Sequence, residues 1–546
     1  MKRIKMPLFK STRLRKWVII FISVSACILF LGAGIFSHYA SQQIKERLKQ
    51  IGCNVGSVNV NIFTQSISIS DFDFNPSDSA DNGDSTNNTL LKALIKNISL
   101  KNVSLYSLLV NKKIEIKEIL ISDGSIQFSG KKSVKGDRDE QPKEIPIKKI
   151  IISRIVLKNL NTTVANDSLT QCSGLINMTL NNVQSSDTAG IDNIRAYNIK
   201  DLEVKITRLL YNSADGFYQT HIGAIYLVSN HEKLIMDSLV LLPRYSKFKF
   251  SRVFGRQVDR LKTFIPRIEI TGLKYDHFRD STFLAAKIAI MSAEIFSFRD
   301  KRMPFKETEN KPLPIAAIKQ FDFGIEVDTL QIKNAKVTYE EFPPDGFKSG
   351  QLVFENLQAT LVNVSNKVYQ NKSHYATLEA SAKIMGKGLI QASFSLPLEE
   401  DKPYHAKGKI SQMSLHHLNP VLENLAFIRI ESGRLNGLNF DFDYDDKSSK
   451  GSLTINYQDL KITGLKKEKS KDESDMKTFL INTIVKNDKD KNMPIDKRTG
   501  TIEFERDRKR QIFNFWWKSL LSGIKASVLN ADKDSRKSKN SKKNNP

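Results

Sequence analysis

From Val58 onward the chain alternates apolar and polar residues with a period of two over most of its length. Val58, Val60 and Ile62 alternate with asparagines, and Ile67 and Ile69 alternate with serines. The same pattern returns in Ile114-Glu115-Ile116, Ile126-Gln127-Phe128, Leu202–Ile206, Phe440–Tyr444, Leu453–Tyr457 and Ile502-Glu503-Phe504. The cleanest run is Phe321-Asp322-Phe323-Gly324-Ile325-Glu326-Val327-Asp328. Alternation of this kind gives each strand one apolar face and one wet face. Phe72 and Phe74 continue one step out of phase with Ile67 and Ile69, which predicts a bulge near Ser70-Asp71. Long segments of helical period are scarce, so alternating β/α architecture is disfavoured. The expected fold is mainly β: an N-terminal transmembrane helix, an elongated, curved, mostly antiparallel sheet, and a short C-terminal amphipathic helix.

A repeat underlies the strands. Ile155-Val156-Leu157-Lys158-Asn159 is followed by Thr163-Val164, then Ser173-Gly174, then Leu180 and Asn182-Val183. Leu330-Gln331-Ile332-Lys333-Asn334 is followed by Val337-Thr338-Tyr339, then Ser349-Gly350, then Leu361 and Asn363-Val364. Shorter versions occur at Leu100–Tyr106, Ile119–Phe128 and Ile268–Tyr275. The unit reads as a strand, a turn whose Asn or Gly accepts positive φ at low cost, and a return strand. Stacked in series, some 20 to 25 strands at about 4.8 Å would make a sheet on the order of 100 Å long, which must curl over its apolar face or have that face filled.

Two segments break the period. Trp17–Phe36 is uncharged and about as long as the roughly 20 apolar residues that span a bilayer. Lys2, Arg3, Lys5, Lys10, Arg13, Arg15 and Lys16 precede it without an acidic residue, so the N-terminus is expected on the cytoplasmic side. An uncleaved anchor is favoured over a cleaved signal, whose apolar core is shorter, and over lipidation at Cys27, which a polar linker would follow. Near the other end, Phe513, Trp516, Trp517, Leu520, Ile524 and Val528 share one broad helical face beside Arg508, Lys509, Arg510 and Lys518. Phe513, Trp516, Trp517, Leu520 and Ile524 are therefore candidates for contact with a membrane interface; the alternative is a helix that covers the end of the sheet.

The expected organisation is a basic cytoplasmic segment (1–16), a transmembrane helix (17–39), a juxtamembrane helix (40–52) and a first half of the β body (53–300). A Pro-rich linker (301–314), a second half (315–506), the aromatic helix (507–530) and a polar, basic, disordered tail (531–546) follow. Asn75–Thr89, Gly130–Glu144, Lys466–Asp475 and Lys486–Arg498 read as surface excursions.

Composition adds little chemistry. The formal net charge is +25 over 546 residues, which favours anionic lipid headgroups or simple solubility. Nucleic acid is a poor partner for a body beyond a membrane. Of three cysteines, Cys53 and Cys172 are far apart and in no CxxC arrangement. No phosphate loop or nucleophile elbow is present. His416-His417 lack a carboxylate to complete a metal site, and Asp441, Asp443 and Asp445 lack the glycine and terminal glutamate of a calcium loop. No catalytic, cofactor or metal site is expected, and the chain is not expected to be an enzyme.

The anchor, followed by LKNVSLYSLLVNKKIEIKEILISDGSIQF (Leu100–Phe128), resembles the AsmA-like family of Gram-negative bacteria. Gly451–Leu465 paired with Arg498–Leu529 resembles the C-terminal end of family members from Bacteroidetes-type bacteria. The resemblance implies an inner-membrane protein with a periplasmic body, whose curved β-groove has an apolar interior and handles phospholipid. It supplies no catalytic motif. On this reading Phe321, Phe323, Ile325 and Val327 line the groove, while Asp322, Glu326 and Asp328 face water. The partners are phospholipid, the inner membrane through residues 17–39, and other envelope proteins. The alternative function is a non-transporting scaffold of the cell envelope.

Overall fold

The computed structural model describes residues 33–75, 90–104, 106–107, 111–129, 149–165, 171–185, 197–307, 309–367, 373–399, 402–465 and 498–543. Residues 1–32, which hold the basic segment, Cys27 and most of the anchor, lie outside the described residues, as does most of the four surface excursions. Among the described residues no helix is long and apolar enough to cross a membrane. The chain divides into two compact units, Met1–Thr207 and Arg208–Pro546.

The first unit opens with helix α1 (33–50), so the expected juxtamembrane helix is the continuation of a helix that already includes residues 33–39. Strands β1 (Cys53–Asn54), β2 (Ser57–Asn61), β3 (Ser66–Phe74), β4 (Leu90–Val103), β5 (Lys113–Ser129), β6 (Lys149–Ala165) and β7 (Gln171–Ser185) follow. Each pairs with its successor in the sheet: β1 and β2 with β3, then β3–β4, β4–β5 and β6–β7, all antiparallel. The exception is β5–β6, which is parallel. Strand β8 (Tyr197–Asn212) runs across the division between the units.

The second unit begins antiparallel with β9 (Tyr218–Val228), β10 (Lys233–Pro243) and β11 (Asp259–Thr271). A short helix, α2 (Lys247–Phe254), joins the last two. β12 (Thr282–Ile290) and β13 (Ala293–Asp300) occupy one strand position, both lying antiparallel to β11 and parallel to β14 (Gly324–Phe342). From β14 the sheet is antiparallel through β15 (Gly350–Ser365), β16 (Tyr375–Ile384), β17 (Gly388–Pro397) and β18 (Tyr404–Ile410). It continues through β20 (Ile428–Tyr444), which also pairs with the short β19 (Met413–Ser414), to β21 (Ser448–Gly464) and β22 (Thr499–Glu505). Helices α3 (Pro314–Lys319), α4 (Asn419–Leu425) and α5 (Ile512–Lys543) complete the unit. The aromatic helix thus starts five residues later than expected, at 512 against 507, and continues through the segment 531–543 that reads as tail.

The mainly β, mostly antiparallel architecture agrees with the alternation. The repeat unit has a different meaning from the one its sequence suggests. Asn159 has φ 54°, yet it lies inside the uninterrupted β6, and Asp123 (φ 60°) lies inside β5. Asp71, at the anticipated bulge, has φ 50° within β3. These residues are kinks in long strands, not hairpin turns. Asn and Asp suit them because their short polar side chains tolerate the left-handed backbone that other residues occupy at a cost of about 1–2 kcal/mol.

The kinks align. By register, Asp71 is level with Lys96, Lys96 with Asp123, and Asp123 with Asn159, and the β6–β7 register slips between Leu157 and Leu160. Asn159 donates from Nδ2 to Asp123 Oδ1 at 3.0 Å, and its backbone N–H donates to Asn177 Oδ1 at 3.0 Å. Beside Asp123 only glycine fits, since a Cβ on Gly124 would stand 2.2 Å from the Leu94 carbonyl oxygen. A second row lies six residues away on β4, β5 and β6 (Asn102, Lys117 and Ser153 against Lys96, Asp123 and Asn159), and ends at Asn182 on β7. Asn102 and Asn182 have φ 52° and 55°.

The second unit repeats this geometry. One row passes through Gly223, Ser238 (φ 57°), Pro266 and the break between β12 and β13. The other passes through Glu232 (φ 50°), Gly272 (φ 65°), Ala286, Asp328 and Asn363 (φ 60°). Pro266, which has no N–H to give a ladder, sits where the register skips a pair.

Replacing Asn159 separates backbone strain from lost hydrogen bonds. Asn159→Gly keeps access to positive φ, whereas Asn159→Val does not. The valine variant should be less stable than the glycine variant by about 1–2 kcal/mol in denaturant unfolding. Equal losses would show that the left-handed backbone is not what selects this residue.

Candidate functional site

Each kink moves the apolar set by one position, and this keeps one face of the sheet apolar. On β5 the sequence places Ile114 and Ile116 before Lys117, then Ile119 and Ile121, then Ile126 and Phe128 after Asp123. A straight strand would send Ile116 and Ile119 to opposite faces. Instead Ile114, Ile116 and Ile119 pack in one cluster with Leu100, Val103, Ile150, Ile152, Ile155, Leu180 and Val183. Only Ile116, Ile152 and Val183 of this cluster are buried; the others keep partial contact with solvent.

The second unit builds the same surface around Ile268, Ile270, Leu273 and Ala285, with Leu234, Met236, Leu239 and Ile265 against them. Here too the phase slips, with Ile265 before Pro266 and Leu273 after Gly272. Register carries the face onward: Ile288 is level with Leu330 and Leu330 with Leu361. At Leu361 the surface meets a closed core of Leu396, Tyr404, Ala406, Phe440, Phe442, Tyr444, Leu453, Ile502 and Phe515. Thus within this unit the apolar face is open along β10–β12 and closed along β17–β22.

Helix α5 does the closing. It meets β22 backbone to backbone: a Cβ on Gly500 would be 2.0 Å from the Gly523 carbonyl oxygen. Ser449 and Ser519 share a buried hydrogen bond of 2.7 Å, and Glu503 N–H donates to Ser522 Oγ at 3.2 Å. The five aromatic-helix candidates divide. Trp516, Leu520 and Ile524 pack against the core, with the Trp516 ring 4.5 Å from Phe394. Phe513 and Trp517 face outward, 74% and 51% exposed. The expected single broad face is therefore two: an inner one that covers the sheet and an outer one that is wet.

The other four candidates also divide. The strand expected over Phe321–Asp328 begins at Gly324. Phe321 and Phe323 precede it in a bend, exposed, with their rings 5.3 Å apart. Ile325 and Val327 are in β14 and stand beside Phe283 and Ala285, on the apolar face. Val327 is buried there, Ile325 is half-buried and Asp328 is exposed at its kink. Alternation alone extended the strand too far, because Asn366 Nδ2 and Oδ1 hold the Phe323 carbonyl and the Ile325 N–H where the ladder starts.

Polar groups at the strand ends are occupied by one another. Arg299 makes a two-pronged pair with Asp259, one arm at 2.7 Å. Burial lowers the Arg299 guanidinium's affinity for its proton, but Asp259 outweighs this and the net shift is upward. Tyr339 donates to Glu341 at 2.6 Å, and Lys301 pairs with Glu341 at 2.6 Å. Burial, reinforced by Glu341, pushes the Tyr339 phenol far above its ordinary range. These pairs tie β11, β13 and β14 together. His405 lies between exposed Asp441 and Asp443, with Nδ1 2.8 Å from Asp443. Among the described residues no group of three or more His, Cys, Asp or Glu side chains could hold a metal ion. Cys53 and Cys172 are free thiols, both pushed up by burial.

The two faces of α5 give opposite expectations. Trp516→Glu places a charge in a closed core and should destabilise the protein by about 3 kcal/mol or more. Trp517→Glu should change stability by less than about 0.5 kcal/mol. Thermal unfolding of both variants checks this; equal losses would put both indoles in the core.

Alkaline titration tests the same core. Burial pushes the Tyr404 phenol up to about 12. The fold holds the neutral phenol, so its contribution is complete below the unfolded value of about 10 and is lost as pH rises from about 10 to about 12. Tyr404→Phe should flatten the fall in stability across that window, measured by urea unfolding at each pH.

No protein-family model matches this chain, and a search of the curated proteins finds no significant match.

Proposed function

We propose that this chain is an inner-membrane-anchored envelope protein that binds phospholipid acyl chains on its apolar β-face, with the body in the periplasm. The observation that carries this reading is the phase slip at each kink. It keeps aliphatic side chains on one face through strands of up to 17 residues in the first unit, and leaves most of them only partly buried. A face built only to form a core would be covered, as it is under α5. An acyl chain gains about 0.8 kcal/mol per CH₂ removed from water, so a continuous surface holds it without any polar motif. The uncharged run Trp17–Phe36 and the basic residues before it support the anchor and its orientation.

A second reading, an envelope scaffold that binds protein partners and moves no lipid, draws support from the closed core beneath α5. The two differ in what the first unit carries. Full-length protein purified in mild detergent should yield phospholipid on extraction and mass spectrometry. Ile119→Asp with Ile155→Asp should reduce the lipid recovered about tenfold while circular dichroism stays unchanged, because neither side chain is fully buried. Lipid recovery that is absent in the parent, or equal in the variant, would leave the scaffold.

A further inference from the structure

The end of the first unit nearest the apolar run carries a surface that neither the acyl-chain face nor α5 accounts for. Helix α1 lies along the edge strand β2. Val60 N–H donates to Ser41 Oγ at 3.0 Å, and Lys45 Nζ donates to the Gly56 carbonyl at 3.1 Å. Ser41 is thus level with Val60 and Lys45 with Gly56, so helix and strand run in opposite directions. Going back five residues from Ser41 covers about 7.5 Å of helix. Forward from Val60, β2 ends one residue on at Asn61, and the turn that follows holds Phe63. Phe36, the last residue of the apolar run, therefore lies toward the same end of the unit as the β2–β3 turn.

A second connection meets that turn. Val103 N–H donates to the Gln65 carbonyl at 2.9 Å, which brings the β4–β5 connection alongside. This connection presents Tyr106, 68% exposed, three residues after Val103, while Phe63, 61% exposed, stands two residues before Gln65. It ends in Lys112, exposed with φ 52°, and Lys113, which the parallel β5–β6 register places beside Lys149. The first carboxylate on β5, Glu115, accepts a hydrogen bond from Ser107 at 2.7 Å. Two exposed aromatic rings next to basic side chains, at the level where an apolar run leaves the fold, match the chemistry of a bilayer interface. There, rings settle among headgroups and lysines meet phosphates.

We propose that this end of the first unit, through Phe63, Tyr106, Lys112 and Lys113, docks on the surface of an anionic phospholipid bilayer. The docking rests on the membrane-anchor reading above and goes further. It fixes how the body stands on the membrane, with β4, β5 and β6 rising from the headgroups and the lower end of their apolar face at the lipid. The lysines supply attraction that salt screens, and the rings supply attraction that it does not.

The test uses the full chain reconstituted in vesicles of phosphatidylcholine and phosphatidylglycerol that contain brominated lipid. Phe63→Trp, Tyr106→Trp and, as a control at the opposite end of β5, Phe128→Trp are compared, each corrected for the native tryptophans; Phe128 is 38% exposed. Quenching at positions 63 and 106 should exceed that at 128 by about threefold or more. Lys112→Glu with Lys113→Glu, or vesicles of phosphatidylcholine alone, should lower it at position 63. If the protein floats with the vesicles but 63 and 106 are quenched no more than 128, the docking falls and the anchor stands. Quenching indifferent to lipid charge would overturn the anionic surface. Protein that does not float with vesicles would remove the anchor and the docking together.

Discussion

A strand that must show one apolar face over 14 to 19 residues works against its own twist. In this protein the conflict is relieved along rows that cross the strands, several of whose members, among them Asn102, Asp123, Asn159 and Asn182, have a left-handed backbone, and most of the other features depend on those rows. Each such residue breaks the two-residue alternation once, bends its strand, and returns the next apolar side chain to the same side. Because neighbouring strands break at the same level, the bends form rows across the sheet and do not cancel. Asn and Asp hold such positions at Asn159, Asp123 and Asn363: the Asn159 N–H is taken by the Asn177 side chain, Asn159 Nδ2 donates to Asp123, and Asn363 Nδ2 donates to the Ser373 and Tyr375 carbonyls.

The same device explains why the apolar surface has two fates. Where strands carry Ile, Leu and Val at partly exposed positions, as on β5 and β6, the surface stays accessible. Where small residues allow close approach, a helix sits on it: Gly500, Gly523, Ser519 and Ser527 let α5 approach β22 at backbone distance, and the aromatic side chains around Tyr444 and Phe515 fill the remaining space. One sheet chemistry thus supports both an open face and a closed core within the second unit. The buried ion pairs near Arg299 hold the strand ends in place, and their charges are spent on one another.

In the proposed function, lipid is recognised by a continuous surface. An acyl chain offers no hydrogen bonds, so a site for it leaves no signature of paired carboxylates, nucleophiles or metal ligands. What it does need is length, continuity and incomplete burial, and these come from the kinked strands. In the docking proposed above, the aromatic and basic residues at the base of the first unit meet lipid headgroups.

The sequence by itself determined the mainly β class, a break in the alternation at Asp71, which is a left-handed kink and not a bulge, and the aromatic C-terminal helix. Each rests on a period of two or of 3.6, which is local and survives any tertiary arrangement. It also held the phase slips, visible as apolar-x-apolar-x-Asn followed by a shifted alternation, but a slip and a hairpin turn have the same local signature. Both need a residue that accepts positive φ between two alternating runs, and only pairing with β5 and β7 shows that Asn159 is crossed by one continuous strand. Phe321 and Phe323 continue the alternation of Ile325 yet lie outside the strand, because Asn366, far away in the chain, sets where the ladder begins. Trp516 and Trp517 are adjacent letters, and only the approach of α5 to β22 decided that one belongs to the core and the other to solvent. The nearness of the β2–β3 turn to the β4–β5 connection rests on the hydrogen bond from the Val103 N–H to the Gln65 carbonyl, and long-range contacts of that kind are not written in any local pattern.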